Sequence, residues 1–467
     1  QSVMKRSSRP LPTLWEAVRP AFKKLENTQK WFRPEVYKED HCDSFFLSDL
    51  EERKKSKVEE EEKPLKTKKI GLNPTKEQRK VLDTFFAGAA HAYNLSLRLV
   101  RDHGLAPRMD VLQKIVSCQK QENIPVQYRT DGDEWFFKKV PSTVKQHALK
   151  DYLAARKTAL HKRGTVKPKS LQSKMGVFGV QKKYFQRIDE KEVKLYPKFF
   201  PKESKKIKTK SAFHDAVEHD VKICRNSIGK LYILLPIPLR KRESPDAEDC
   251  MVGIDPGVRT FATIFDPSRC SAEKYGTKDD YSKQVARLHA KIDSVSAKRD
   301  AFLEKSKAKS REELDSNRKR KKYDFYSSVI GKAFYRIRNR VDDLHRHLAK
   351  KLVDNYEIVV VGKFDVSGFK KGKLSSGILR DMRTWGHFRF RNFLLHKARE
   401  VEGCQVFVQD EHFTSKTCGR CGVINNLLGG KEVFVCQKCG YETDRDVNGA
   451  RNILRKYLGV FRMKTDK

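Results

Sequence analysis

The sequence predicts a multidomain α+β protein whose C-terminal half is an α/β domain. Three observations support this fold class. A segment with helical spacing of apolar residues comes first, short strand-like segments broken by charged turns follow it, and apolar strands then alternate with amphipathic helices from residue 250 onward. At 467 residues the chain is long enough for two to four domains, each with its own core.

The net charge indicates the kind of partner. The chain has 100 Lys and Arg residues against 60 Asp and Glu, a formal net charge of +40, which repels itself unless a polyanion screens it. Nucleic acid is the natural polyanion. A membrane partner is not expected, because the sequence contains no run of about 18 apolar residues.

Residues 1–68 are rich in charge and poor in periodicity, and they predict a charged, partly disordered N-terminal tail. Within and just after it, the stretch 51–69 alternates blocks of acidic and basic residues. Such basic blocks are typical of a nuclear address and equally of a solvated charge run, and both interpretations stay open. The expected localisation is the nucleus.

A helical domain is predicted for residues 78–169. Thr75 and Gln78 have the spacing of a capping box, and the apolar-periodic run that follows predicts a helix to about Arg101. A second amphipathic helix is predicted to begin at Ser142. A β-rich domain is predicted from the two segments that flank these helices, residues 69–77 and 170–249, with KLYILLPIPL as its clearest strand.

The α/β domain opens with MVGIDPGVRTFATIFDP, an apolar strand that ends in Asp255, a Pro-Gly turn and a second strand over 260–265. Further strands are predicted at 358–361 and 405–408, with one amphipathic helix over 383–402 between them. This order is typical of a mixed sheet whose parallel strands end at one edge.

A long basic helical region lies between the second and third of these strands. Its stretch KSKAKSREELDSNRKRKKYDFY combines clustered cations with aromatic residues. A solvated helix face and a nucleic-acid contact both fit this pattern, and the aromatic residues favour the contact. The candidate contact residues are Arg318, Lys319, Arg320, Lys321, Lys322, Arg336, Arg338 and Arg340.

The clearest local motif is a pair of CxxC knuckles near the C-terminus. Four thiolates at this spacing close a tetrahedron around zinc and leave no open position, so a structural zinc site is predicted. The other cysteines are scattered over a Lys-rich chain with no signal peptide, which favours a reducing compartment over a disulfide scaffold. The four predicted ligands are Cys418, Cys421, Cys436 and Cys439.

Two acidic sites lie on either side of the knuckles. Asp255 ends an apolar strand before Pro-Gly, and Asp444 and Asp446 stand at the start of a helix. An Asp before such a turn is commonly a turn former, and an Asp that opens a helix is commonly an N-cap. Composition alone leaves a structural and a chemical interpretation open at both sites.

Several motifs together resemble one family. GIDPGVRTFATIF resembles the first RuvC motif, TSKTCGRCG followed by CQKCG resembles the zinc ribbon inserted in the TnpB nuclease, and DRDVNGARNI resembles the third RuvC motif. LNPTKEQRKVLDTFFAGAAHAYNLSL and WGHFRFRNFLLHKARE resemble further TnpB segments, so the likeness spans about Lys69 to Leu458. With its charged tail, the chain is most similar to the eukaryotic Fanzor branch; type V CRISPR effectors are more distant relatives.

The resemblance implies an RNase H-like (RuvC) nuclease domain with an inserted zinc ribbon, preceded by a helical recognition domain and a β-rich wedge domain. The implied bounds are 250–411 and 443–467 for the nuclease domain and 412–442 for the ribbon.

The chain departs from the family at one acid. The second RuvC motif places a Glu at the end of the strand that here reads IVVVGKFDV, and Gly362 stands at that position. Some relatives use a Glu shifted to the next strand, which implies Glu411 here. Adjacent parallel strands end side by side, so Glu411 can fill the space that Gly362 leaves. Asp365 and Asp410 are the alternatives, and Asp410 points away from Glu411 if the strand pleat continues.

The resemblance implies a guide-RNA-directed DNA endonuclease that hydrolyses DNA next to a short target-adjacent motif. Asp255, Glu411 and Asp446 would hold Mg²⁺, as two ions, with Asp446 assigned by its spacing to Asn448 and Asp444 left structural. The expected partners are a guide RNA and target DNA in a monomeric ribonucleoprotein. Two alternatives stay open: a nuclease-inactive RNA-guided DNA-binding protein, and a guide-independent RuvC-like transposase or resolvase.

Overall fold

The computed structural model describes residues 64–129, 134–171, 173, 175–243, 250–276, 281–364, 376–429 and 431–459. These residues fall into two compact units, 64–239 and 240–459. The predicted N-terminal tail therefore lies almost wholly outside the described residues. Within them, no helix combines the length and apolar character needed to cross a membrane.

The first unit contains a seven-stranded antiparallel sheet. Its strands are β1 Leu65–Asn73, β2 Gly176–Val180, β3 Phe185–Asp189, β4 Glu192–Leu195, β5 Ile207–Thr209, β6 Val221–Arg225 and β7 Leu231–Pro238. Their spatial order is β2-β6-β7-β1-β5-β4-β3. The strand from the start of the described chain thus lies in the middle of a sheet whose other strands come after the helices.

Four helices pack with this sheet: α1 Lys76–Arg101, α2 Met109–Val116, α3 Glu134–Lys139 and α4 Ser142–His161. The predicted capping box is confirmed, since the Thr75 hydroxyl accepts from the Gln78 N–H and the Gln78 side chain accepts from the Thr75 N–H. The helices and the sheet bury their apolar faces in one hydrophobic core, which includes Phe85, Val144 and Ile233.

The second unit contains a five-stranded mixed sheet, as the alternation of strands and helices predicted. Its strands are β8 Met251–Pro256, β9 Ala262–Asp266, β10 Ser271–Tyr275, β11 Ile358–Gly362 and β12 Gln405–Gln409, in the order β10-β9-β8-β11-β12. Strands β8, β11 and β12 are parallel, and β9 and β10 run antiparallel to their neighbours. The three parallel strands therefore end at one edge of the sheet.

Helices cover both faces of this sheet. They are α5 Tyr281–Lys305, α6 Asn317–Asn355, α7 Ser376–Trp385, α8 His387–Ala398 and α9 Arg445–Tyr457. Alternate strand residues, such as Ile254 and Val361, pack into a core with α6 and α8. Strand residues whose side chains point to the other face of the sheet, such as Met251 and Val360, pack against Ile453 of α9. Because successive side chains alternate between the faces, the position of a residue in a strand determines which helix it faces.

The single helix predicted over 383–402 is wrong. The structure has two helices, α7 and α8, that meet at Gly386. Gly386 has a φ of +59°, a left-handed conformation that glycine adopts far more readily than other residues. An amphipathic pattern continues across this break, so periodicity alone did not reveal it.

Candidate active site and metal centre

The carboxyl ends of the three parallel strands bring two predicted acids to one sheet edge. Ile254 of β8 lies opposite Val361 of β11, and Gly362 of β11 lies opposite Gln409 of β12. Asp255 follows Ile254 directly, and Glu411 lies two residues beyond the end of β12. The parallel arrangement on which the Glu411 prediction depended is therefore present.

Glu411 occupies the space beside Gly362. A Cβ atom added at Gly362 would overlap the Oε1 atom of Glu411 and lie 2.8 Å from both its Cδ atom and the Cδ atom of Pro256. No larger side chain fits there without displacing the Glu411 carboxylate. The same Oε1 atom accepts a hydrogen bond of 3.0 Å from the backbone N–H of Phe364. The structure thus places the Glu411 carboxylate where a side chain of residue 362 would begin.

Asp255 faces helix α9 on the other side of this edge. A Cβ atom added at Gly449 of α9 would lie 3.0 Å from the Asp255 Cγ atom, so the carboxylate packs directly against the helix backbone. Asp446 lies on the first turn of the same helix, and its charge is close enough to raise the pKa of Asp255. Helix α9 therefore adds the third acid to the two at the sheet edge.

Asp444 has the structural role predicted for it. It is the N-cap of α9, and its Oδ1 atom accepts hydrogen bonds from the N–H groups of Asp446 at 3.0 Å and Val447 at 3.2 Å. Its Oδ2 atom accepts a bond of 2.6 Å from the Lys274 ammonium of β10. The cap fixes the main chain at Asp446 and ties the start of α9 to the sheet.

Burial and neighbouring charges raise the pKa of each of the three acids. Burial raises the pKa of Asp255 well above its usual range, and the nearby charges of Glu411 and Asp446 raise it further. Burial also raises the pKa of Glu411 to about 7, against the hydrogen bond from Phe364. The pKa of Asp446 is raised first by burial and then by the charge of Asp444. A divalent cation among these oxygen ligands would favour the ionised forms.

Of the two alternative acids, Asp410 and Asp365, the structure describes Asp410. Asp410 is exposed, and its carboxylate binds the His412 ring at 2.8 Å and faces the Lys456 ammonium at 3.6 Å. These partners outweigh its partial burial and lower the pKa of Asp410. Asp365 lies outside the described residues. Of the acids at the end of β12, Glu411 is the one directed at Gly362.

The four predicted cysteines form a cluster that fits a zinc ion. All four sulfur atoms lie within 4.8 Å of one another. Two of the separations are 3.7 Å, for Cys418 and Cys439, and 3.5 Å, for Cys421 and Cys436. With Zn–S bonds of about 2.3 Å, the edge of a tetrahedral site is about 3.8 Å. The donor set and its spacing therefore suit four-coordinate zinc.

The segment around these cysteines has a small core and a short hairpin of its own. Strands β13 Val433–Val435 and β14 Glu442–Asp444 pair antiparallel, and β14 runs directly into α9. Leu428 and Phe434 are buried with the cysteines. The segment that joins Glu411 to Asp446 thus forms a small module around the four cysteines.

Two buried asparagines of α9 hold the start of the module, and the sequence interpretation did not identify them as contacts. Asn448 accepts from the Gly419 N–H at 3.0 Å and donates to the Thr417 carbonyl at 2.7 Å. Asn452 donates to the carbonyls of Thr414 at 2.8 Å and Thr417 at 2.7 Å. The two side chains stand four residues apart on one helix face, and that spacing of polar residues inside an apolar pattern was the available signal.

The candidate nucleic-acid contacts lie along α6, the longest helix among the described residues. Seven of the eight cations are exposed, and Lys319 is partly buried beside Asp315 at 2.9 Å. Two aromatic residues of the same helix, Phe325 and Phe334, are exposed by 64% and 51%. Exposed cations and aromatic rings are groups that single-stranded or duplex nucleic acid can contact.

The chain is similar to several known proteins. Residues 387–453, from the start of α8 through Glu411 and the cysteine cluster into α9, match the family model "Cas12f1-like, TNB domain". TnpB-like protein L79 of Acanthamoeba polyphaga mimivirus is 26% identical over 415 residues, 84% of this chain and 73% of that protein. The "Putative RNA-guided DNA endonuclease InsQ" of Escherichia coli (strain K12) is 25% identical over 413 residues, 84% of this chain and 92% of that protein.

A solved structure, "Cryo-EM structure of the Cas12f1-sgRNA-target DNA complex", aligns with a TM-score of 0.48 and 16% identity over 81% of this chain and 83% of that chain. The family model and the relatives together support a TnpB-like, Cas12f-like family for the chain.

Proposed function

We propose that this protein is a guide-RNA-directed DNA endonuclease with a RuvC-type, Mg²⁺-dependent site formed by Asp255, Glu411 and Asp446. The observation that supports this most directly is the Glu411 carboxylate in the space beside Gly362, at the same sheet edge as Asp255. The proposal includes cleavage next to a short target-adjacent motif, and a structural zinc in the cysteine cluster.

Each part of the site has a defined task. Asp255, Glu411 and Asp446 would hold Mg²⁺, which would supply positive charge to stabilise the attacking and leaving oxygens of a phosphodiester. The sheet edge holds Asp255 and Glu411 in place, and the Phe364 N–H orients the Glu411 carboxylate. The Asp444 cap holds the main chain of Asp446. No side chain is required as a covalent nucleophile, since water is the attacking group.

The charge of the chain and the names of its relatives support the partners. A net charge of +40 favours a polyanionic partner, and the exposed cations of α6 offer one contact surface. One relative across 84% of this chain is described as a "Putative RNA-guided DNA endonuclease". Guide RNA, target DNA and a monomeric ribonucleoprotein are therefore proposed for this chain.

Asp255→Asn is expected to reduce guide-directed cleavage by about 10³-fold or more, because it removes one of the charges that hold the metal. The measurement is the single-turnover cleavage rate of the purified complex with its co-purified RNA, a matched DNA target and Mg²⁺. Asp410→Asn is the control, since Asp410 is exposed and bound to His412. Its rate should stay within about threefold of the unsubstituted protein.

Two other outcomes would decide against the proposal. Cleavage of DNA by RNA-free protein at the same rate would favour a RuvC-like transposase or resolvase. Guide-dependent DNA binding with no cleavage in Mg²⁺ would favour a binding-only protein.

The assignment to the eukaryotic Fanzor branch and the nuclear localisation are also proposed. They rest on the charged tail and on the blocks of acidic and basic residues at 51–69. A fluorescent fusion of the full chain in eukaryotic cells is expected to accumulate in the nucleus, and replacing the basic residues of 51–69 by Ser should reduce that accumulation. Equal nuclear signal from both fusions would contradict the assignment of residues 51–69 as a nuclear localisation signal.

A further inference from the structure

Arg391 of α8 lies beside the short segment 362–364 that follows β11. One of its Nη atoms donates a hydrogen bond to the Lys363 carbonyl. Its positive charge also lowers the pKa of Glu411, in opposition to burial. Arg391 therefore holds the segment whose next N–H group binds Glu411.

Hydrogen bonds hold the backbone N–H groups of Lys363 and Phe364 in this segment. The Lys363 N–H donates to the Gln409 carbonyl at 2.9 Å and so extends the pairing of β11 with β12. The Phe364 N–H donates to the Oε1 atom of Glu411 at 3.0 Å. Phe364 has a φ of +33°, on the side of the backbone map that residues other than glycine rarely adopt. Its surroundings must therefore hold it in place.

Helix α8 supplies two of the groups that hold Phe364. The His387 ring lies 4.4 Å from the Phe364 ring, centroid to centroid, and is stacked on Phe261 at 5.0 Å. Arg391 follows His387 by four residues, so both side chains lie on the same face of the helix. His387 contacts the Phe364 side chain, and Arg391 holds the carbonyl of the preceding peptide. That peptide contains the N–H that binds Glu411.

We propose that Arg391 is a positioning residue for Glu411. By binding the Lys363 carbonyl it keeps the Phe364 N–H directed at Oε1, and it thereby presents the Glu411 carboxylate to a divalent cation in the space that Gly362 leaves. The planar guanidinium holds a carbonyl with more directional control than a lysine ammonium does. The inference rests on the proposed metal-binding role of Glu411.

The test is Mn²⁺ binding to the zinc-loaded full chain without nucleic acid, measured by electron paramagnetic resonance, with Mn²⁺ as a probe for an oxygen-ligand site. Arg391→Gln is expected to weaken Mn²⁺ binding by about 10-fold or more, the usual effect of removing a group that orients a metal ligand. Arg391→Lys keeps the charge and should fall between this variant and the unsubstituted protein.

Arg389→Gln is the matched control. Arg389 lies on the same helix and is half-buried, but its guanidinium pairs with Asp342 at 2.9 Å, away from the segment 362–364. Its removal should leave Mn²⁺ affinity within about twofold even if the protein melts at a lower temperature. Equal weakening in the Arg389 and Arg391 variants would overturn the proposal, because it would indicate a general loss of structure.

A second readout separates positioning from nucleic-acid binding. The Kd of guide-loaded Arg391→Gln for target DNA should match that of the unsubstituted protein, while the Mg²⁺ concentration for half-maximal cleavage rises by about 10-fold or more. Weaker DNA binding with unchanged Mn²⁺ affinity would overturn the proposal. If the unsubstituted complex does not cleave at all, the proposed function fails, and the Mn²⁺ titration still decides the role of Arg391.

Discussion

Glu411→Gln is expected to abolish cleavage, and a second substitution, Gly362→Glu, is expected to restore part of it in a Glu411→Ala background. Loss of the charge at residue 411 should lower the single-turnover rate by about 10³-fold or more, because only two of the three acids then remain to hold two divalent ions. In Glu411→Ala the side chain that occupies the space beside Gly362 is gone. A Glu at 362 can then place its carboxylate at the same sheet edge.

Because the side chains of residues 362 and 411 would overlap, Gly362→Glu is expected to act differently alone and in the Glu411→Ala background. In the presence of Glu411, a Cβ atom at residue 362 overlaps the Oε1 atom and lies 2.8 Å from the Cδ atom. Gly362→Glu alone should therefore reduce both cleavage and stability. In the double variant, contact with the Pro256 Cδ atom at 2.8 Å remains, so recovery is expected to be partial, to within about 100-fold of the unsubstituted rate.

The control for this experiment is Gly362→Gln in the Glu411→Ala background, which has nearly the same shape without the charge. It should show no recovery. If the Glu and Gln versions cleave equally slowly while both bind guide RNA and target DNA normally, residues 362 and 411 do not supply the same ligand. The Glu411 assignment would then have to be given up in favour of an acid such as Asp365, which lies outside the described residues.

The sequence was sufficient for those parts of the site that depend on one-dimensional periodicity. The strand ending at Asp255, the strands near 358 and 405, and their parallel relation follow from apolar runs separated by helices. A continued pleat would distinguish Glu411 from Asp410, because neighbouring residues point to opposite sides. In the structure β12 ends at Gln409, before both residues, so the pleat does not reach them, but Asp410 is exposed and Glu411 is partly buried.

The contacts that hold the acids in place could not be predicted in the same way. The bond from Arg391 to the Lys363 carbonyl joins residues 28 positions apart, on either side of a helix break at Gly386 that the helical pattern hides. The central position of β1 in its sheet depends on pairing with strands more than a hundred residues later. Such contacts are decided by three-dimensional packing, to which local propensity is only a weak guide.

Removal of zinc is expected to disrupt the acid site as well as the cysteine module. Cys436→Ser should lower the thermal midpoint and reduce guide-directed cleavage by about 100-fold or more, because the metal supplies on the order of 10 kcal/mol to a segment with a small core. The side-chain hydrogen bonds from Asn448 and Asn452 to this segment contribute about 1 kcal/mol each. They are too weak to keep the module folded without the metal.

The path from the module to the acids is short on both sides. Thr414, whose carbonyl binds Asn452, donates its own N–H to the Glu411 carbonyl at 3.1 Å. On the other side, β14 runs directly into α9, and its last residue Asp444 caps that helix beside Asp446. Loss of order in the module therefore releases Glu411 and Asp446 together, while Asp255 stays fixed in β8.

The zinc prediction is tested by comparing Cys436→Ser with a second cysteine variant outside the cluster. Zinc content, thermal midpoint and Mn²⁺ affinity should all fall in Cys436→Ser, and none should fall in Cys270→Ser, which removes an exposed thiol far from the cluster in sequence. Chelated protein should recover cleavage when zinc is returned, and Cys436→Ser should not. A zinc-free protein that cleaves within about threefold of the normal rate would mean that α9 and the sheet edge position Glu411 and Asp446 without help from the module.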